Sequence, residues 1–302
     1  MTKLDILGHD DPTIIRMLED LTGIDAKTIP FDDPKTLSLF SSTEGIGLTP
    51  EQLQGDQVAS LAVPECGTKF VRGMLEDSRP QTFSDLVRIS GFSHGTNVWL
   101  DNAQDLIKNG TCKLNEAIST RDDVMNFLIH RGMDRKHSFF VMENVRKGKG
   151  IEKRNKQGQA TTEFEAEMRE NNIPEWFIES CKKISYLFPR AHAVAYVMMA
   201  FRIAWFKVYH PLAFYAAYFS IRAKAFDLRI MTGDLKTQLT EFNRIKALDR
   251  AASPKDKDLM SALEVSMEMY QRGYRFINVD IQHSEARRFS IKDGALLPPF
   301  LA

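Results

Sequence analysis

The chain has 302 residues, room for about two domains of ~100–200 residues each, and its 43% hydrophobic and 26% charged content excludes wholesale disorder. Lys+Arg and Asp+Glu both total 40, a net charge of zero, so the overall composition points to no polyanionic or membrane partner. Cys66, Cys112 and Cys181 are scattered without a C-x-x-C pair, which excludes a disulfide scaffold or zinc ribbon and fits a reducing compartment.

The charge balance is segregated along the chain. Residues 1–60 carry 11 acidic and 4 basic side chains. Residues 180–226 carry seven basic ones (Lys182, Lys183, Arg190, Arg202, Lys207, Arg222, Lys224) and no Asp or Glu. No apolar run follows the start MTKLDILGHDDP, and Arg202, Lys207 and Pro211 interrupt the most apolar stretch, 191–221. Neither a signal peptide nor a membrane span of ~18 residues is expected; a soluble, cytoplasmic protein is.

In chain order, Lys3 to Leu7 (KLDIL) alternates polar and apolar residues before Gly8 and predicts a short strand. Asp11-Pro12 opens a helix whose stripe of Ile14, Ile15, Leu18 and Leu21 stops at Gly23. The same opening recurs at Asp33-Pro34, Thr49-Pro50 and Ser253-Pro254, and Thr120 caps a helix that closes at Gly132. Residues 148–162 (GKGIEKRNKQGQATT) read as a polar surface loop. A helix start is expected after Pro189. Phe276–Ile281 and Arg288–Ile291 read as strands, with Asp293-Gly294 as a hairpin turn before Leu296-Leu297. The expected fold is mainly α, with a strand stub at the N-terminus and a small α+β segment at the C-terminus. A strand at residue 3 needs a partner for its backbone groups, and a sheet lying upstream is the expected one.

The stretch 180–226 interleaves twelve aromatic residues with its cations. One reading is a nucleotide or nucleic-acid surface, in which cations neutralise phosphate and rings stack on bases. The other is a core helix with snorkelling Arg and Lys heads, and Val197, Phe201, Ala204, Phe206 and Val208 are core in either case. Tyr186, Arg190, His192 and Tyr196 flank the helix start after Pro189, and a helix N-terminus beside cations is a ready anion site. Arg146-Lys147-Gly148-Lys149-Gly150 could approach a phosphate closely but is not a Walker A loop, and from residue types alone a solvated basic loop is the safer reading. His9-Asp10-Asp11 is explained by helix capping, and Asp122 and Asp123 by the positive end of a helix. Glu163, Glu165 and Glu167 splay apart on a helix. Ser93-His94-Gly95-Thr96 reads either as a binding turn or, on composition alone, as a polar helix–helix connection, and Arg72 and Arg79, flanking a helix, either as phosphate contacts or as common surface cations. A lone carboxylate, Asp5, on the first strand is not a complete catalytic site.

Taken together, KLDILGHDDPT (3–13), IDAKTIPFDDP (24–34), FSSTEGIGLTPEQL (40–53), residues 67–112, VRKGKG (145–150), FEAEM (164–168) and IPEWFIESCKKISYLFPRAHAVAY (173–196) resemble the PolC-type bacterial DNA polymerase III alpha subunits, a family of C-family replicative DNA polymerases. The resemblance is specific from residue 3 to about 230 and thinner beyond. It implies a helical fingers domain (31–230) preceded by the C-terminal part of the palm (1–30) and followed by outer fingers and the start of a DNA-binding region (231–302). Asp5 looks like the third of three palm aspartates around two Mg2+ ions, making it the expected catalytic and metal-holding residue. The resemblance further implies Arg121, Arg146, Lys147 and Lys149 at the triphosphate of an incoming dNTP, and Tyr186, Arg190, His192 and Tyr196 along the nascent base pair. Primer-template DNA, a dNTP and, in the full-length enzyme, replisome components such as the sliding clamp are the implied partners, with no membrane. The family's upstream D-x-D palm motif, exonuclease and PHP regions are missing, so a fragment inactive on its own is expected. The loop 151–162 is longer than usual in the family, and no role is carried onto Lys153, Arg154 or Lys156. The competing expectation is a stand-alone helical nucleic-acid-binding module without catalysis.

Overall fold

The computed structural model describes residues 9–154 and 160–301. The KLDIL strand and Asp5 lie outside the described residues. Fourteen α-helices dominate the described chain: α1 (Asp11–Thr22), α2 (Pro34–Ser38), α3 (Lys69–Ser78), α4 (Phe83–His94), α5 (Gln104–Lys108), α6 (Arg121–His130), α7 (Arg135–Val145), α8 (Phe164–Glu170), α9 (Glu175–Lys183), α10 (Arg190–Tyr209), α11 (Pro211–Ile221), α12 (Leu228–Met231), α13 (Leu235–Leu248) and α14 (Pro254–Gln271). Two antiparallel pairs complete it, β1 (Glu152–Arg154) with β2 (Ala160–Glu163) and β3 (Ser290–Lys292) with β4 (Ala295–Leu297). The chain divides into two compact units. One holds residues up to Thr68 and from Met199 onward; the other is Lys69–Met198.

The first unit is built around α11, whose residues Ala213 to Ala217 and Phe219 are all buried. A helix apolar on all sides belongs at the centre of a core, and Leu18 of α1, Ile245 of α13, Leu263 of α14 and Leu296 of β4 surround it. Asp293 and Gly294 both take positive φ (51° and 75°), the conformation a two-residue hairpin turn requires. The expected strand over 276–281 is reduced to one parallel bridge, Phe276 to Leu296. The Asp280 carboxylate accepts from Gln282 N (2.8 Å) and bends the chain into a turn. The Thr49-Pro50 opening starts only a 3₁₀ turn, Pro50–Leu53. Asp256-Lys257-Asp258 has D-x-D spacing but sits in the first turn of α14, where Asp256 closes a capping box with Ser253.

The second unit pairs α6 with α7 and packs Leu86, Phe92, Val124, Leu128, Val141, Phe164, Phe177 and Val197 in its interior. Thr120 and Asp123 form the capping box expected at the start of α6. The stretch 148–162 is not wholly a loop. It folds back as β1 and β2, in register Glu152–Glu163, because an antiparallel pair satisfies backbone groups in a polar segment that has little to bury. All three cysteines are free and buried. Burial pushes the Cys66 thiol up to about 12 and Cys112 to about 11, and raises Cys181 as well, so none is a ready thiolate nucleophile.

Candidate nucleotide-facing site

The second unit gathers three turns onto the short segment 185–190. From the turn after α4, Thr96 N donates to Tyr186 O (3.0 Å) and Thr96 O accepts from Ser185 N (3.0 Å). From the turn after α7, Arg146 O accepts from Leu187 N (3.3 Å). From the start of α6, Arg121 N donates to Phe188 O (3.1 Å), and the Asp122 carboxylate accepts from Arg190 N (2.8 Å). Arg121, the Arg146–Gly150 turn, Tyr186 and the start of α10 are thus joined by backbone hydrogen bonds, although up to 69 residues separate them in sequence.

The basic turn reaches this segment through glycine. Gly148 has φ 65°, and a Cβ there would lie 2.6 Å from Ser185 O. Glu143, in the last turn of α7, takes the Arg146 guanidinium through Nε and Nη2 and lies 2.9 Å from Lys147 Nζ. These hydrogen bonds, that from Arg146 first, hold the Glu143 carboxyl down at about 2 and fix both cations against it. Among the described residues neither Arg121 nor Lys149 carries a side-chain ion pair, and Lys149 is exposed.

A row of rings runs along the same segment. His94 stacks on Phe188 at 4.8 Å between centroids, Phe188 meets His192 edge-on at 4.8 Å, and His192 lies 4.4 Å from Tyr196. Tyr186 is 41% exposed. His94 Nδ1 lies 2.8 Å from Ser90 O and 3.1 Å from Ser93 Oγ. Half-exposed rings next to fixed cations can pair a flat apolar ligand face with an anionic group.

Arg121, Arg146, Lys147, Lys149, Tyr186, Arg190, His192 and Tyr196 all belong to this unit and are carried on the joined segments, whereas Asp5 lies outside the described residues. Sequence reasoning missed Phe188 and Glu143, preferred a polar connection to a binding turn at His94 and gave Asp122 to its own helix. The helix spacing of Phe188, His192 and Tyr196 was the available signal for the ring row. Three other expectations are corrected. The N-terminus of α10 is not wholly free for an anion, because its first N–H, that of Arg190, already donates to Asp122. Arg72 is buried rather than a surface cation. The acid-free stretch is not uniformly a basic surface, since its cations take carboxylates from elsewhere. Lys182 pairs with Glu165 and Glu179, Arg190 with Asp123, Lys207 with Glu268 and Arg222 with Asp11. By length and composition α10 could cross a membrane, but Phe201, Ala204, Phe206 and Lys207 are buried within the protein, as in a core helix.

In the first unit, His9-Asp10-Asp11 does not cap α1 through an aspartate side chain. Asp11 is instead wholly buried, 3.5 Å from His9 Nδ1 and 3.7 Å from Arg222, with Glu65 3.9 Å from His9 Nε2. The arginine already supplies positive charge where a cation would sit. Burial raises the Asp11 carboxyl to about 6, and Glu65 and Asp10 add to the rise against His9 and Arg222. A carboxyl raised in the folded state favours folding when protonated. That contribution is full below the ordinary value near 4 and is lost as pH rises through about 6. Asp11→Asn should therefore gain stability relative to the parent as pH rises from 4 to 7. A difference in Tm that is equal at both ends of this range would contradict it.

The bacterial DNA polymerase III alpha subunit finger domain matches residues 11–172. The chain is 56% identical over 299 residues to the PolC-type DNA polymerase III of Caldanaerobacter subterraneus subsp. tengcongensis, 53% over 300 to that of Bacillus subtilis and 54% over 303 to that of Thermotoga maritima. Each alignment covers 99% of this chain and 20–21% of the relative, so the chain spans about a fifth of their length. With the matched region covering more than half of its residues, the chain belongs to the bacterial DNA polymerase III alpha subunit finger-domain family.

Proposed function

We propose that this chain is the palm-end and fingers part of a replicative DNA polymerase and binds an incoming dNTP together with primer-template DNA. The parent reaction is template-directed transfer of dNMP to a primer 3′-hydroxyl. One observation carries the reading: the Arg146–Gly150 turn and the ring row hang from the same hydrogen-bonded segment, the arrangement needed for one ligand with a polyanionic end and a flat end. Arg121, Arg146, Lys147 and Lys149 take the triphosphate, where fixed cations favour charge developing on the leaving pyrophosphate. Tyr186, Arg190, His192 and Tyr196 line the base pair.

The proposal keeps residues 1–30 as the end of the palm, 31–230 as fingers and 231–302 as outer fingers and the start of a DNA-binding region. It includes Mg2+ as cofactor, a sliding clamp as partner of the longer enzyme and a cytoplasmic setting. Mg2+ would supply charge neutralisation at the transferred phosphate. A two-metal centre needs several carboxylates, and this chain contributes only Asp5 to it. Asp5 by itself therefore does not make up that centre, and no step is routed through the ion.

Titration of the chain with a dNTP should show binding that weakens with salt, as expected for phosphate contacts. Lys147→Ala/Lys149→Ala should weaken it by at least about tenfold, since even one charge-assisted hydrogen bond contributes about 1.5–3 kcal/mol. Binding unchanged in that variant, or flat between low and moderate salt, would overturn the triphosphate assignment. The chain alone should not extend a primer, and magnesium-dependent incorporation by a contaminant-free sample would refute its inactivity.

A further inference from the structure

Helix α10 begins with a deficit. Its N-cap position is Pro189, whose ring bears no oxygen to accept from the first backbone N–H groups, and a helix start leaves four such donors without partners. Arg190 N finds its acceptor on another helix. Asp122 Oδ2, in the first turn of α6, lies 2.8 Å away. On the N-terminal side of this bond the two helix starts are tied again, by Arg121 N to Phe188 O at 3.1 Å, a hydrogen bond of the parallel Thr120–Phe188 bridge. Asp123 cannot serve in its place. Its carboxylate already takes Ser119 and Thr120 through both backbone and hydroxyl donors, and lies 3.6 Å from Arg88 and 4.0 Å from Arg190. Asp122 thus holds together the backbones that bear Arg121 and Arg190, one cation from each side of the proposed ligand.

We propose that Asp122 is a positioning residue of the nucleotide site: by capping α10 from α6 it fixes the spacing between Arg121 and Arg190. The proposal rests on the nucleotide reading above. It also sets two effects of one carboxylate against each other, because the acceptor oxygen aligns the cations while the charge repels a polyphosphate. Asparagine keeps the oxygen, is itself a favoured capping residue and removes the charge. Alanine removes both.

The test compares the parent chain with Asp122→Asn and Asp122→Ala, using inorganic tripolyphosphate as the titrant and hydrogen exchange at the Arg190 amide as a second readout. Asp122→Asn should keep the amide protected and bind tripolyphosphate at least as tightly as the parent, by about threefold more if the repulsion is that of a partly screened pair. Asp122→Ala should lose the protection and bind about fivefold more weakly than Asp122→Asn, the equivalent of one lost cap, since both variants lack the charge. Unchanged exchange in the alanine variant would overturn the cap itself. Faster exchange in Asp122→Ala with binding equal to that of Asp122→Asn would make the cap merely structural and overturn the positioning role. If Asp122→Ala does not fold, Asp122→Asn decides alone, and binding much weaker than the parent's would overturn the proposal. A parent chain that does not bind tripolyphosphate would overturn the nucleotide reading and this proposal with it, while the exchange data would still report the cap separately.

Discussion

Replacing Glu268 with alanine should destabilise the chain by about 3–5 kcal/mol, the range for removing one partner of a buried ion pair. Lys207 is 0% exposed and Glu268 2%. The Lys207 ammonium spends its three donors on Ala59 O (2.8 Å), Leu61 O (2.6 Å) and Glu268 Oε2 (2.8 Å). The other carboxylate oxygen accepts from Tyr215 OH at 2.6 Å, and Arg272 donates to that hydroxyl and to Lys207 O. Every member is satisfied only while all are present. Without Glu268 the ammonium is left in an apolar core between two carbonyls. The double variant Lys207→Met/Glu268→Leu removes both charges and should recover much of the loss. Urea unfolding of the three proteins checks this, and a loss below about 1 kcal/mol in Glu268→Ala would contradict the network's role.

Gly148→Ala should abolish triphosphate binding and destabilise the basic turn by about 2–4 kcal/mol, combining the left-handed backbone penalty with a steric one. The added methyl would meet the Ser185 carbonyl oxygen at 2.6 Å and its Cα at 3.1 Å. These are backbone atoms that cannot swing aside, so the turn must leave the segment that carries Tyr186. Gly150 is the internal control. It also has positive φ (71°), but nothing lies within 4 Å of its added Cβ. Gly150→Ala should therefore pay only the backbone term, about 1 kcal/mol, and bind normally. Equal effects from the two variants in a dNTP titration would show that the approach of the turn to Ser185 does not matter.

Local hydrogen bonding was readable from the residues in order. Ser253 and Thr120 close capping boxes where they stand, the Asp33 carboxylate takes Thr36 N at 2.8 Å, and Asp293-Gly294 turns its hairpin. Each depends on atoms two to four residues apart, so neighbouring letters suffice to specify it. The strand expected over 276–281 failed for a related reason, because a local Asx turn at Asp280 outweighed alternation.

Composition alone could not sort the acid-free stretch. Tyr186, His192 and Tyr196 carry the same kinds of ring as Phe206 and Tyr215, yet the first three are at least partly exposed and the last two are buried. A cation reads identically whether it faces solvent, like Lys149, or is sealed against a carboxylate 61 residues away, like Lys207. The difference lies in which distant acid the fold brings alongside.

By itself, then, the sequence determined the helical class, the caps and turns that punctuate it, and the family whose unusual strings it shares. These rest on short-range bonding and on residue identity. Only the tertiary structure decided that three remote turns meet on residues 185–190, that Asp122 caps a helix 68 residues on, and that Lys207 belongs to the core. Those facts depend on burial and on hydrogen-bond partners that chain folding, not chain order, brings within 3.3 Å.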